Sequence, residues 1–225
     1  MSVLDSLVTD RTQAHVDRLK ALMRIGWQNM TDEEKAEYLG GGLEQLRDAN
    51  NQPLFDSNNE PLYSNDSGGV QKGAYNYTDL NRVEEAVDYI ADELVQAPLD
   101  LQAYAASLDV AWDSSFELPY DDGDYTSITV KTDWTNEDIP SVTDMTRYIA
   151  NLALIQASLL VPIGIPASMS ALDYNGANAI ERMLLDTDAA LADAVEERKM
   201  LIRGTLGRFY SGELNSGELP MGGDT

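Results

Sequence analysis

The sequence predicts a mainly α fold: several amphipathic helices, a small extended insertion over residues 48–71, and a short strand near residues 125–132. Three observations point there. Apolar residues recur at helical spacing over long stretches, and capping signatures stand ahead of them. Before the C-terminal tail, only two stretches read as extended chain. At 225 residues with 43% hydrophobic content, the chain is long enough for one or two domains with a real core. With only three Phe and three Trp, that core must be built largely from aliphatic side chains and Tyr. The boundaries read as a helical segment over 1–47, the repeat-containing insertion over 48–71, a helical core region over 72–210, and an extended tail over 211–225.

The first helix spans residues 9–26. Thr9 or Asp10 caps it, Val16, Leu19, Leu22 and Met23 form its inner face, and Gly26 ends it ahead of Trp27. A second, short helix begins at Thr31, where Thr31-Asp32-Glu33-Glu34 matches a capping box, and stops near Gly40-Gly41-Gly42. The insertion carries a repeat: Asp48-Ala49-Asn50-Asn51-Gln52-Pro53-Leu54-Phe55 is followed by Asp56-Ser57-Asn58-Asn59-Glu60-Pro61-Leu62-Tyr63. Each copy reads as a turn followed by extended chain. Asp56, Asn58 and Glu60 alternate as calcium ligands do, but Pro61 stands where a calcium loop needs glycine.

The central helix has Thr78 as its expected cap and Asp79 beside the positive end of its dipole. Leu80, Val83, Val87, Ile90 and Leu94 make one face apolar, and Glu84, Glu85, Asp88, Asp92 and Glu93 fall on the other. A separate helix is expected over Pro98–Leu108. Residues 109–133 read as irregular, apart from the strand, whose β-branched residues alternate through Ile128 and Val130. Thr143 begins a further helix with Met145, Ile149, Leu152, Ile155 and Leu159 inward. Asn175 begins the last, with a stripe from Ile180 through Leu184, Leu191, Val195 and Ile202 to Phe209. Unbroken, it would run about 30 residues, or about 45 Å. That exceeds one compact domain, so part of it faces another subunit or it ends early at Gly204.

Two helix starts echo one another. Tyr77-Thr78-Asp79-Leu80-Asn81-Arg82-Val83-Glu84 aligns without gaps to Tyr174-Asn175-Gly176-Ala177-Asn178-Ala179-Ile180-Glu181. Shared capping rules explain Thr78 and Asn175. They do not explain the matching Tyr77 and Tyr174, nor the matching Asn81 and Asn178, which suggest a repeated hydrogen bond to a neighbouring loop. The tail holds another repeat, Ser211-Gly212-Glu213-Leu214 and Ser216-Gly217-Glu218-Leu219. Its composition cannot offset its own ordering entropy, so Leu214 and Leu219 are candidates for contact with another chain.

The net charge is −24, and the run from Glu84 to Asp144 holds 16 acids with Lys131 as its one base. Such a surface repels nucleic-acid phosphates and anionic lipid. Cysteine is absent and His15 is the only histidine, which removes thiolate chemistry and His- or Cys-based metal sites. No phosphate loop follows Gly40-Gly41-Gly42, and no Gly-x-Ser-x-Gly elbow occurs. Trp27, Trp112 and Trp134 fall at helix ends or turns, where packing accounts for them. The expectation is therefore no catalytic residue, no cofactor, no metal, no nucleic-acid partner and no membrane partner. No basic region precedes an apolar run at the N-terminus, so no signal peptide is expected.

Six stretches carry a resemblance. In order they are Asp10-Arg11-Thr12 with Val16-Asp17-Arg18; Gly26 to Lys35; Lys72 to Val83; Lys131 to Pro140; Tyr174 to Glu181; and Phe209-Tyr210-Ser211-Gly212-Glu213. Together they resemble a family of virion structural proteins encoded in tail modules of phages and prophages of Gram-positive, Clostridia-like bacteria. The resemblance implies a non-enzymatic part of a tail, baseplate or attached fibre, made in the host cytoplasm and assembled into the virion. Its partners would be other virion proteins and further copies of itself. It brings no catalytic residues, and residues 50–67 look like an insertion between two family blocks. The alternative is an acidic binding protein, such as a DNA-mimic inhibitor of a host factor.

Overall fold

The computed structural model describes residues 2–38, 52, 54, 72–119 and 123–213, with side chains followed to residue 205 along the last helix. The chain is mainly helical, and no strand occurs among the described residues. The helices are α1 (Gln13–Ile25), α2 (Asp32–Tyr38), α3 (Tyr77–Ser107), α4 (Val142–Ser158) and α5 (Tyr174–Glu213). The calcium-like stretch 56–60, the end of α2's expected run at Gly40, and Leu214 and Leu219 lie outside the described residues.

The architecture is organised by α3 and α5, which pack side by side and run parallel. Near their starts the side chains of Arg82 and Glu181 meet, and near their far ends Arg203 reaches the Tyr104 hydroxyl. Many of their buried positions match at a constant offset. Leu80, Val83, Ala86, Val87, Leu94 and Ala97 on α3 correspond to Ala177, Ile180, Met183, Leu184, Leu191 and Ala194 on α5. A 3.6-residue period maintained on both helices keeps one stripe of each against the other. Tyr148, Leu152 and Ile155 of α4 complete the main core, and Leu4 from the N-terminal segment joins it. A smaller cluster of Leu101, Ala105, Phe116 and Ile202 lies toward the far end of the pair.

Several expectations change. Pro98 does not divide α3, which continues for 31 residues with the proline inside it. The lost amide bond is outweighed because the buried stripe runs on through Leu94, Ala97, Leu101 and Ala105. α3 ends in a Schellman motif: the Val110 amide donates to the Ala105 carbonyl at 3.0 Å and the Asp109 amide to that of Ala106 at 3.1 Å, with Asp109 left-handed at φ 56°. Gly204 does not stop α5, which runs 40 residues, about 60 Å, and takes in Ser211–Glu213 of the expected tail.

The expected strand at 125–132 is a 3-10 turn, Tyr125–Ser127, followed by extended chain. Ile128 and Val130 pack against the core while Thr126, Thr129 and Thr132 face outward, and no strand among the described residues lies beside them. Side chains satisfy the backbone instead, as described below. The first helix starts at Gln13 rather than near residue 9. Thr12 is its cap, with His15 reaching back from the third position, and Met23 is exposed rather than inward. Residues 9–11 are thereby left outside any helix. α2 begins as its capping box suggests, with the Thr31 amide donating to Glu34 at 3.0 Å and the Glu34 amide to Thr31 at 3.2 Å. α4 begins at Val142, one residue before Thr143, with Ser141 as cap.

Candidate functional site

The two matching helix starts are built alike, but neither expected cap is the cap. At α3 the cap is Asn76, whose Oδ1 accepts the Thr78 amide at 2.8 Å, while Asp79 accepts the Asn76 amide at 2.8 Å. At α5 Asp173 does the work, accepting the Gly176 amide at 2.8 Å. Thr78 and Asn175 therefore lie inside the first turn. The reason is reach: a short Asx side chain meets amides two or three residues on, and the helices begin at Tyr77 and Tyr174. Those two tyrosines share the first helical position, and both are half-buried.

Asn81 and Asn178 each hold a distant extended segment. The Asn81 side chain accepts the Trp134 amide at 2.8 Å and donates to the Trp134 carbonyl at 2.9 Å. The Asn178 side chain accepts the Arg11 amide at 2.9 Å and donates to the Arg11 carbonyl at 2.8 Å. Each carboxamide thus satisfies one residue's backbone as a neighbouring strand would. One helical turn further on, a carboxylate takes a second amide of the same segment. Glu84 accepts the amide of Lys131 at 2.6 Å, and Glu181 accepts that of Val8.

The gripped segments match too. Val8-Thr9-Asp10-Arg11 and Lys131-Thr132-Asp133-Trp134 share Thr-Asp in the middle and are held at their first and last residues. The arrangement is crossed. α3, in the first half of the chain, grips the segment that leads into α4. α5, in the second half, grips the segment that leads into α1. The chain therefore resembles two similar halves that have exchanged arms around a parallel helix pair.

The charges behind the two clasps differ. Around Glu181 lies a fully buried group of two acids and two bases. Its Oε1 accepts from Arg11 at 2.6 Å and Arg82 at 3.0 Å, and both arginines also bond Asp79. The four formal charges cancel. Burial works to lower the Arg82 guanidinium, but Glu181 and Asp79 overcome it and hold it above its ordinary pKa. The Arg11 Nε is the one buried side-chain polar atom left without a partner among the described residues. Glu84 is also buried, contrary to its expected place on the polar face, because it shares a helix face with Asn81. It accepts from the Trp134 indole at 3.2 Å and from Arg147, whose own pKa is raised by that bond. Arg147 and Asn151 also donate to the Thr129 carbonyl, completing the ladder-free segment.

Beside these groups the Tyr75 and Tyr148 hydroxyls bond to each other, and burial pushes both well above the ordinary phenol range. Chemically, this arrangement binds the protein's own backbone. Both oxygens of Glu181 accept two donors each, so its hydrogen-bond-accepting capacity is taken up internally. Among the described residues no group of acids and histidines could hold a metal ion, and no helix is long and apolar enough to cross a membrane.

Of the residues singled out from sequence, the structure brings Asn81 and Asn178 into matching roles and places Tyr77 and Tyr174 at matching positions. Arg11, Asp79, Arg82, Glu84, Trp134 and Glu181 were missed as parts of the site. The signal was present in the shared Thr-Asp of the two segments and in the Asn-x-x-Glu spacing of the two helices. No protein-family model, curated protein or solved structure matches the chain.

Proposed function

We propose that this chain is a non-enzymatic structural component of a phage virion, in the tail, baseplate or an attached fibre, acting through protein–protein assembly. The ordered set of six stretches resembling tail-module virion proteins carries this reading. Its support lies in what those stretches do here. Four of them contain Arg11, Asp79, Asn81, Arg82, Lys131, Trp134, Asn178 and Glu181, the residues that hold the two halves together. Those stretches thus supply scaffold-making residues, as suits a part whose task is to present a shape.

The acidic-mimic alternative needs carboxylates displayed in a row. Asp79, Glu84 and Glu181 are turned inward onto arginines and backbone amides, which takes Glu84 out of the acidic face of α3 and leaves Glu85, Asp88, Asp92 and Glu93 exposed there. Density-gradient fractionation of lysate from the encoding phage or induced prophage, with antibody detection, tests the proposal. The chain should sediment with intact particles through a high-salt wash. Recovery only in the slow-sedimenting soluble fractions would overturn it.

A further inference from the structure

An apolar cleft opens between the start of α4 and the chain leading into α5. Its volume is about 670 Å³, within the roughly 300–1,000 Å³ typical of ligand-binding pockets. Leu80, Met145, Ile149, Met169 and Leu172 line it, and hydroxyls of Ser141, Thr146 and Ser170 sit among them. At its mouth Val142 is 85% exposed, and Ile139 nearby is 91% exposed. Aliphatic side chains so exposed beside a cleft of this size mark a contact surface.

We infer that this cleft receives the C-terminal tail of a second copy of the chain, through Leu214 and Leu219. Reach excludes the chain's own tail. The cleft borders Leu172, just before α5 begins, whereas the tail departs from Glu213 at the other end of a 40-residue helix about 60 Å long. Leu219, six residues beyond Glu213, lies about 22 Å from it at most, at roughly 3.3–3.6 Å per extended residue. The tail also has the chemistry the cleft asks for. Its repeated Ser-Gly-Glu-Leu sets an aliphatic side chain every fifth residue, and its glycines let backbone approach the serine and threonine hydroxyls closely.

Donor and acceptor surfaces lie at opposite ends of the longest helix, so the contact is head-to-tail. Repetition gives a ring or a helical array rather than a closed twofold dimer. This deepens the assembly reading above and rests on it only for its setting in a particle. Two copies each of charge −24 repel one another, so association driven by apolar burial should tighten as salt rises.

Sedimentation of the full-length protein over a range of concentration and salt tests the inference. The expected result is reversible self-association, stronger at high salt. Leu214→Ser/Leu219→Ser in the tail, or Val142→Glu at the exposed mouth, should each weaken it at least about tenfold, the scale of losing a buried aliphatic contact. Val142 is the first residue of α4, where an acid suits the helix dipole, and unchanged circular dichroism confirms the fold. The decisive step is to mix the two variants. One retains its cleft and the other its tail, so the mixture should form a one-to-one complex and nothing larger.

A monomeric wild type up to about 1 mM, variants that associate as well as wild type, or a mixture that stays monomeric would each overturn the inference. A monomeric chain that is nevertheless present in washed particles would sink this contact and leave the virion reading standing. A self-associating chain absent from particles would do the reverse.

Discussion

Replacing Glu181 by Gln keeps the side chain's size and removes one charge from a buried group whose charges now cancel. In the native protein Glu181 accepts two bonds from Arg82, one from Arg11 and one from the Val8 amide. The side chains of Arg11, Asp79 and Glu181 are at most 1% exposed and that of Arg82 is 7% exposed, so water offers little relief. After the substitution two guanidiniums share Asp79 alone, and one positive charge is left uncompensated. Breaking a buried pair from one side costs about 3–5 kcal/mol. The new amide also turns an NH2 toward donors, which adds about 1 kcal/mol or more.

That is roughly a quarter or more of a typical total stability of about 5–15 kcal/mol. Glu84→Gln provides the control, because its partner Arg147 is 23% exposed and can turn to solvent. We expect it to cost about half as much. Urea denaturation followed by circular dichroism reads both, with the midpoint falling and the slope unchanged. A loss below about 1 kcal/mol for Glu181→Gln, or a larger loss for Glu84→Gln, would refute the charge-balance argument.

Other outcomes follow from the same geometry. Asn76→Ala should lower stability by about 1 kcal/mol in urea titration, while Thr78→Ala costs clearly less, since Asn76 is the cap. Leu160 is left-handed at φ 53° and 84% exposed, so Leu160→Gly should raise the thermal midpoint, a gain of about 1 kcal/mol; a fall would show that its side chain contributes. Burial raises the Asp188 carboxyl above its ordinary value, so its stabilising neutral form is fully present below the unfolded pKa and lost as pH rises through the folded one. Asp188→Asn should therefore stabilise the protein at pH 7 and do little at pH 3, and a gain as large at pH 3 would contradict this.

What the sequence made legible was local. Thr31 and Glu34 announce their capping box because both partners lie within one turn. The stripes of α3 and α5 announce buried faces because their period is intrinsic to the helix. The caps Asn76 and Asp173 lie two residues ahead of the expected ones, since Thr78 and Asn175 have the same chemistry as true caps. The strand expected at 125–132 is absent for a different reason. Its pattern describes a chain packed on one face, and pattern alone does not say whether a strand or side chains will satisfy the backbone. Here Asn81, Glu84, Arg147 and Asn151 do so. The buried acids were hidden by their type, because Glu84 looks like any solvated glutamate until Arg147 and Trp134 are seen beside it.

The central claim is that two matching helix starts satisfy the backbone of two matching extended segments across the halves of the chain. Residue-resolved amide hydrogen exchange of the native protein tests it most directly, because these amides lie outside every helix and would otherwise exchange freely. The account predicts that the amides of Val8, Arg11, Lys131 and Trp134 are protected to nearly the degree of core amides in α3 and α5. Those of Thr9 and Thr132, between the gripped positions, should exchange far faster. Uniformly fast exchange across residues 8–11 and 131–134, with α3 and α5 still protected, would contradict it.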